Sequence, residues 1–465
     1  MALALVLGLF ACGEPPSEAD EPLNLLLVTL DTTRADQLGL YGWIAPTSPN
    51  LDALGAGGVV FERAYAPMGQ TFPTHSTILS GLGPREHGVL ENHSLLGERV
   101  ATIAQTLRAK GWDTAGCIGA KVLSERTGIA RGFDHWDERM PEREEGRATA
   151  ERPAEQVADA LIAWWDARAE SASGSKPWFA WAHFFDAHQP FVAPEAFLDA
   201  LDARAIAQQI AADPERWLGQ SDLPPTEVVL AIAERWREYG AEIRYVDAQL
   251  GRLLAELEAR GERERTVIVV VGDHGEGLTT HGEFGHGVNL YDELMHVPLV
   301  IAAPGGVDAG AGAGTRLAEP FGLVELRPLA EGLLLDGGER GGWNTLVRTG
   351  RLPSEPVFLE RPHFSEQALI KRSGKRLDPY EFGSMLAVVH QGWKLLRQPS
   401  GVEVLFDLRN DPGEVHDRSQ QEPELHARLA ALLDEWLERH PVSDSGPVEL
   451  SEERLRELEE LGYLK

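Results

Sequence analysis

The chain has 465 residues, 73 of them Asp or Glu against 43 Lys or Arg, for a formal net charge of -30. A polyanionic surface repels nucleic acid and anionic membrane, so neither is an expected partner; an anionic substrate must be drawn in by a metal ion or a few local cations. The length predicts one large domain and a smaller companion. With Cys12 and Cys117 the only cysteines, neither a disulfide framework nor a thiolate metal cluster is expected.

Met1 to Phe10 (MALALVLGLF) is apolar and leads through Ala11-Cys12-Gly13 into a polar, Pro-containing stretch up to Pro22. The run is too short to span a bilayer as a helix, but it suits the apolar core of a secretory signal. Leu9-Phe10-Ala11-Cys12 resembles a bacterial lipobox, whose cysteine becomes the lipidated first residue of the mature protein. No Lys or Arg precedes the apolar run, a departure from that pattern. The expectation is an exported cell-envelope lipoprotein, periplasmic or outer-surface, held to the membrane by a lipid anchor at Cys12.

Asn24 to Leu30 (NLLLVTL) reads as a strand apolar on both faces, as buried parallel sheets require. Ser48-Pro49 predicts a helix start, with serine as N-cap and proline at the first helical position. Val59 to Tyr65 predicts a second strand, Thr102 to Lys110 a helix, and Trp112 to Gly119 a strand with Cys117 as a small core residue. The interval Asp134 to Gln156, charged and Pro-containing, reads as a surface loop. Pro177 to Phe184 is another buried strand, and helical patterns cover Val228 to Glu238 and Ala241 to Arg260. Thr266 to Val271 (TVIVVV) is the most strand-like run in the chain. Strand and helix in alternation predict an α/β sheet with helices on both faces. From about Pro356 short strands between turn signals predict a small antiparallel sheet. A helix over about Pro423 to Arg439 and a capped, charged terminal helix over Ser451 to Leu461 follow.

Open α/β sheets bind ligands beyond the carboxyl ends of their strands. Asp31 directly follows NLLLVTL, Asp273-His274 follows TVIVVVG, and His188 follows PWFAWAHF after a short loop. Three strand ends that each offer a metal-type ligand point to a metal centre. Thr71-Phe72-Pro73-Thr74-His75-Ser76 opens a helix-like run closed by Gly81. That places Thr71 at a helix N-terminus, where unpaired N–H groups and the dipole favour an anion or an alkoxide.

Taken together these motifs resemble the sulfatase branch of the alkaline phosphatase superfamily. Asp31-Thr-Thr-Arg34-Ala-Asp36, Tyr41-Gly42 and Ser48-Pro49-Asn50-Leu51-Asp52 are similar to the family's opening. Thr71-x-Pro73-Thr-His75 through Gly81, His87-Gly88-Val89, and Asp186-x-His188-x-Pro190-Phe191 continue the match. Asp273-His-Gly-Glu276, His281-Gly282, His286-Gly287 and Tyr291-x-Glu293 resemble the second metal motif. Gly392-Trp-Lys394-Leu, Leu405-Phe-Asp407-Leu and Asp411-Pro412-x-Glu414 resemble the C-terminal subdomain, and Leu461-Gly462-Tyr463 resembles the ending of bacterial lipoprotein members. The resemblance implies a central, mostly parallel sheet flanked by helices, plus a small C-terminal antiparallel sheet with a helix. It divides the chain into signal and linker (1–22), catalytic domain (23–350), α+β subdomain (351–445) and terminal helix (446–465).

Two departures shape the expected chemistry. Sulfatases use C-x-P-x-R, whose cysteine becomes formylglycine; here Thr71 holds the cysteine position and His75 the arginine position. Threonine cannot form that aldehyde hydrate, and a threonine sulfate ester has no second hydroxyl to expel sulfate. A phosphothreonine can instead be attacked at phosphorus by water, and related phosphodiesterases and headgroup transferases carry threonine here. Where sulfatases hold Ca²⁺ with adjacent acids and Asp-Asn, this chain has Asp31-Thr32 and Asp273-His274. The resemblance therefore implies one divalent metal on Asp31, Thr71, Asp273 and His274, Zn²⁺ or Mn²⁺ favoured by the imidazole, with Ca²⁺ the alternative. It implies His75, His188 and His286 as catalytic groups, Lys121 and His281 as substrate-binding ones, and His183 as a strand residue beneath the site. The favoured reading is a phosphoester or phosphodiester hydrolase. A sulfuric ester hydrolase, a phosphoryl-headgroup transferase and a non-catalytic binder of anionic polymers remain the alternatives.

Overall fold

The two most apolar runs, Asn24–Leu30 and Thr266–Gly272, are neighbouring parallel strands at the middle of an eight-stranded sheet. The computed structural model describes residues 22–141, 151–171, 174–304, 314–335, 355–363 and 383–442. Across the sheet the order is Thr315–Leu317, Val59–Phe61, Leu299–Ala302, Thr266–Gly272, Asn24–Leu30, Trp178–Phe184, Asp113–Ile118, His135–Asp137. Leu299–Ala302 runs against both its neighbours, and the other pairings are parallel. The expected mostly parallel sheet is thus present.

Alternation along the central strands divides the core. Leu25 and Leu27 join Phe179, Trp181, Val267 and Val269 on one face, where Phe72, Ile78 and Leu107 cover them. Leu26, Val28 and Leu30 face the other way, against Leu161, Trp236, Val246 and Leu250. These contacts seat helices Thr71–Ser80 and Ile103–Ala109 on the first face, and Ala154–Ala169 and Thr226–Ala259 on the second. Each strand is buried on both faces, so a near-continuous apolar run is what this position demands.

Several expectations change in detail. Val59 to Tyr65 splits into Val59–Phe61 and Ala64–Tyr65, which join different sheets. The two helical patterns after Val228 are one helix of 34 residues. The expected loop from Asp134 contains the edge strand His135–Asp137, and the helix beginning at Ala154 starts within the same interval. Gly116 admits that edge strand: a Cβ there would lie 2.4 Å from the Trp136 ring.

The C-terminal unit is a four-stranded antiparallel sheet in the order Val357–Arg361, Met385–His390, Trp393–Arg397, Glu403–Asp407. Helix Pro423–Arg439 covers one face through Leu429 and Leu433. Lys394 is fully buried where this sheet meets the catalytic domain, its Nζ 2.9 Å from Asp292 and 2.8 Å from Glu414. Cys117 is a buried free cysteine, as expected of a core residue. Cys12, the expected linker before Pro22 and the expected terminal helix over Ser451 to Leu461 lie outside the described residues.

Candidate active site

Strand register creates the site. Leu30 pairs with Phe184 on one side and Gly272 on the other, so Asp31 and Asp273 leave the sheet side by side. Asp31 N–H donates to Phe184 C=O at 2.9 Å and Asp273 N–H to Leu30 C=O at 3.3 Å, which continues the ladder to the edge. Ligand atoms of Asp31, Asp273 and His274 all lie within 4.8 Å of one another, and all three residues are buried.

Each ligand is held from behind. Asp273 Oδ1 accepts the N–H groups of Thr32 (3.0 Å) and His274 (2.7 Å). His274 Nδ1 lies 2.9 Å from the Gly275 carbonyl oxygen, an obligate acceptor, so Nδ1 carries the hydrogen and Nε2 presents its lone pair to the cluster. Asp31 Oδ2 lies 3.3 Å from His183 Nε2. Asp31 Oδ1 and Asp273 Oδ2 have no hydrogen-bond partner and are sealed from solvent. Burial pushes the Asp31 carboxyl up to about 7 and that of Asp273 to about 6, the latter also through the neighbouring Asp31 charge. Two buried acids with orphaned oxygens and an inward imidazole lone pair fit a divalent cation.

Thr71 is the first residue of helix Thr71–Ser80, and its Oγ1 lies 3.4 Å from His274 Nε2. The helix start is less open to an anion than its sequence suggests. Phe72 N–H is already bound to Asn92 Oδ1 at 2.9 Å, Thr74 N–H to Gln70 C=O at 3.2 Å, and Pro73 has no N–H. Thr32 stands at φ 47, a left-handed conformation that costs a β-branched residue energy. Its N–H on Asp273 and its carbonyl, which accepts Tyr239 OH at 2.6 Å, hold it there.

His75 adjoins the cluster but its ring is engaged behind it. Its Nδ1 lies 2.8 Å from the Thr71 carbonyl oxygen and its Nε2 3.0 Å from Thr29 Oγ1, with no solvent exposure. His75 Nδ1 faces an obligate acceptor and carries the hydrogen, so Nε2 accepts from Thr29 Oγ1–H, while Thr29 Oγ1 itself accepts Trp181 Nε1–H at 2.9 Å. Burial, with His183 adding to it, lowers His75 to about 3. The ring therefore supports the Thr71 turn as a neutral group, whereas the motif position suggested contact with developing charge.

His188 and His286 stand together beside the cluster. Their ring centroids are 5.1 Å apart, and His286 lies 4.6 Å from the His274 ring. His188 Nδ1 donates to Gln189 C=O at 2.7 Å, and its ring stacks on Phe185. His286 Nδ1 lies 3.3 Å from Glu276 Oε2, a fully buried carboxylate raised by burial.

Two expected substrate groups make no hydrogen bond to the acid and imidazole cluster among the described residues. Lys121 begins a short turn past the Asp113–Ile118 strand, and its side chain is exposed. His281 stands at φ 52 with Nδ1 3.1 Å from both Glu293 oxygens and its ring stacked 3.9 Å over Tyr291. It is one half of a structural ion pair. His183, in contrast, is more than strand packing, since it contacts a metal-type ligand. The signal was a histidine in an otherwise apolar strand, where burial of an imidazole requires a partner. Glu276 stood within a quoted motif without a role, and only the return of the chain at His286 gives it one.

A mostly parallel sheet whose strand ends gather an acid pair, an imidazole and a buried hydroxyl defines an ester-hydrolase architecture. The family model described as Sulfatase matches residues 23–321, and the chain belongs to the sulfatase family, a group of ester hydrolases in the alkaline phosphatase superfamily. It is 22% identical over 429 residues to the uncharacterized sulfatase YidJ of Escherichia coli (strain K12), covering 85% of this chain and 82% of that one. It is 24% identical over 383 residues to an N-acetylglucosamine-6-O-sulfatase of Bacteroides thetaiotaomicron, covering 66% and 67%. Among solved structures, the phosphonate monoester hydrolase of Agrobacterium radiobacter superposes with a TM-score of 0.68 at 22% identity, over 93% of this chain and 98% of that one. A putative sulfatase yidJ from Bacteroides fragilis gives a TM-score of 0.72 at 16% identity, over 98% and 100%.

Proposed function

We propose that the chain hydrolyses a phosphoester or phosphodiester through a covalent intermediate on Thr71. The observation that carries the reading is the Thr71 hydroxyl, 3.4 Å from His274 Nε2 beside the buried acids, where formylglycine chemistry would need a cysteine. A divalent cation on Asp31, Asp273 and His274, Zn²⁺ or Mn²⁺ favoured over Ca²⁺ by the imidazole, would supply positive charge that lowers the pKa of the Thr71 hydroxyl.

In this reading Thr71 Oγ1 loses its proton to solvent and attacks phosphorus in line, and its new bond forms as the bond from phosphorus to the departing ester oxygen breaks. His286 gives that oxygen a proton, while burial and the neighbouring His286 hold His188 neutral. Water then attacks phosphorus, the bond to Thr71 breaks, and the acid is released. His75 holds the turn that presents Thr71, His183 steadies Asp31, and Glu276 steadies His286. A sulfothreonine has no second hydroxyl to drive its collapse, which favours phosphorus over sulfur. Relative turnover of an aryl phosphate, a bis-aryl phosphate and an aryl sulfate by the metal-supplied protein tests the preference. Turnover of the sulfate alone would refute it.

The segment Leu9 to Cys12 supports a separate proposal, export to the cell envelope and lipidation at Cys12. Bacterial expression should give a membrane-associated, lipid-modified protein that Cys12→Ala releases. Wild type found in the cytosol with an unprocessed N-terminus would remove this claim.

A further inference from the structure

We infer that Tyr239 is a positioning residue for the metal cluster: its hydroxyl clamps Thr32 in a left-handed conformation that aims the Thr32 N–H at Asp273. The inference rests on the reading of Asp31, Asp273 and His274 as cation ligands and concerns how the chain around them is held.

Thr32 directly follows Asp31, and two costs meet in it. Its φ of 47 crowds a β-branched side chain. Its Oγ1 is sealed from solvent and has no hydrogen-bond partner among the described residues. A glycine at this position would carry neither cost. Released, threonine would leave the left-handed region and carry its N–H away from Asp273. Held in place, that N–H donates to Asp273 Oδ1 at 3.0 Å, while Asp273 Oδ2 has no hydrogen-bond partner and stays open to the cluster. Such a conformation persists only where the surroundings over-determine it.

Tyr239, 207 residues further along the chain, is the group that holds it. It is fully buried on helix Thr226–Ala259. Its hydroxyl donates to Thr32 C=O at 2.6 Å and accepts Arg34 N–H at 2.9 Å, so it bonds the chain at two points just past Asp31. One turn earlier on the same helix, Trp236 Nε1–H donates to Leu278 C=O at 2.7 Å, beyond the Asp273-His274 pair. The Arg34 guanidinium lies 5.4 Å from the Trp236 ring and donates to Glu276 C=O at 3.2 Å. One turn of one helix thus grips both loops that carry the metal-type ligands. Packing does not account for the hydroxyl: a phenylalanine would fill the same space beside the Phe191 ring, 5.4 Å away.

Zn²⁺ affinity of the full chain, measured by competition against a chelator, tests the clamp. Tyr239→Phe should weaken it by about tenfold or more, as loss of a group that orients a ligand does, with circular dichroism matching wild type. Tyr41→Phe is the control. Tyr41 likewise joins two backbone groups, accepting Leu299 N–H and donating to Phe61 C=O, both at 3.0 Å, but it bonds to neither ligand loop. Its loss should lower the urea midpoint and leave Zn²⁺ affinity at the wild-type value. Thr32→Gly in the Tyr239→Phe background should recover part of the affinity, because glycine enters the left-handed region without steric cost. Wild-type affinity in Tyr239→Phe, an equal loss in Tyr41→Phe, or no recovery in the double variant would overturn the inference while the metal reading stands. A wild-type chain that binds neither Zn²⁺ nor Mn²⁺ would overturn both.

Discussion

His183 Nε2 lies 3.3 Å from Asp31 Oδ2, and His183 Nδ1 lies 3.4 Å from the N–H of Gly119. Because Gly119 can only donate, Nδ1 is the acceptor and Nε2–H points at the carboxylate. The bond orients Asp31 and leaves Oδ1 for the cluster. Groups that orient a metal ligand are commonly worth about 10–100-fold in affinity. His183→Ala should therefore weaken metal binding by that order while the metal still binds, as read by competition against a chelator. Unchanged affinity would assign His183 to packing alone.

Removal of a ligand should act more severely. His274→Ala takes away the one imidazole and leaves Asp31 and Asp273 buried together. Elemental analysis should find about one Zn²⁺ or Mn²⁺ per wild-type chain and a large deficit in the variant. Wild-type protein that holds only Ca²⁺, with activity restored by Ca²⁺ alone, would rule out the transition-metal assignment.

Lys394 gives a stability prediction for the joint with the C-terminal sheet. It is fully buried between Asp292 and Glu414, and Tyr65 OH adds a bond to Asp292 at 3.2 Å. Taking one partner from a buried ion cluster typically costs about 3–5 kcal/mol, because the remaining charges lose their compensation. Lys394→Met should lower the denaturation midpoint accordingly in urea titration. A loss under about 1 kcal/mol would mean that water reaches this joint.

His281 links stability to pH. Burial opposes its charge, but Glu293 overcomes this and raises it from 6.5 to about 9. The folded value lies above the unfolded one, so the ion pair's contribution is complete below about 6.5 and is lost as pH rises toward 9. Wild type should lose stability across that window more steeply than His281→Gln, with thermal melts at fixed ionic strength as the measurement. Parallel curves would show that the pair contributes nothing.

The runs NLLLVTL and TVIVVV made the central strands legible, because a strand buried on both faces leaves a continuous apolar signature. Asp31 and Asp273 followed as their carboxyl-end residues. The support behind them was harder to read, since it depends on register: nothing in Trp178–Phe184 alone says that His183 reaches Asp31. His75 was legible in principle, four residues after Thr71 on one helix face and thus able to bond back to its carbonyl. The motif resemblance drew it toward the substrate instead. The bond from Tyr239 to Thr32 unites segments far apart in sequence, which periodicity cannot join.

The central claim is tested most directly by turnover of Thr71→Ala against wild type on the preferred aryl ester, at matched metal content and with matching circular dichroism. Thr71 Oγ1 contacts His274 at the cluster, and the rest of its helix is anchored by the core residues Phe72, Ile78 and Leu79, so the fold should persist. Loss of a covalent nucleophile should reduce kcat by about a thousandfold or more, with Thr71→Ser keeping part of the rate. A Thr71→Ala protein that turns over every ester at the wild-type rate would contradict the account and make water the nucleophile.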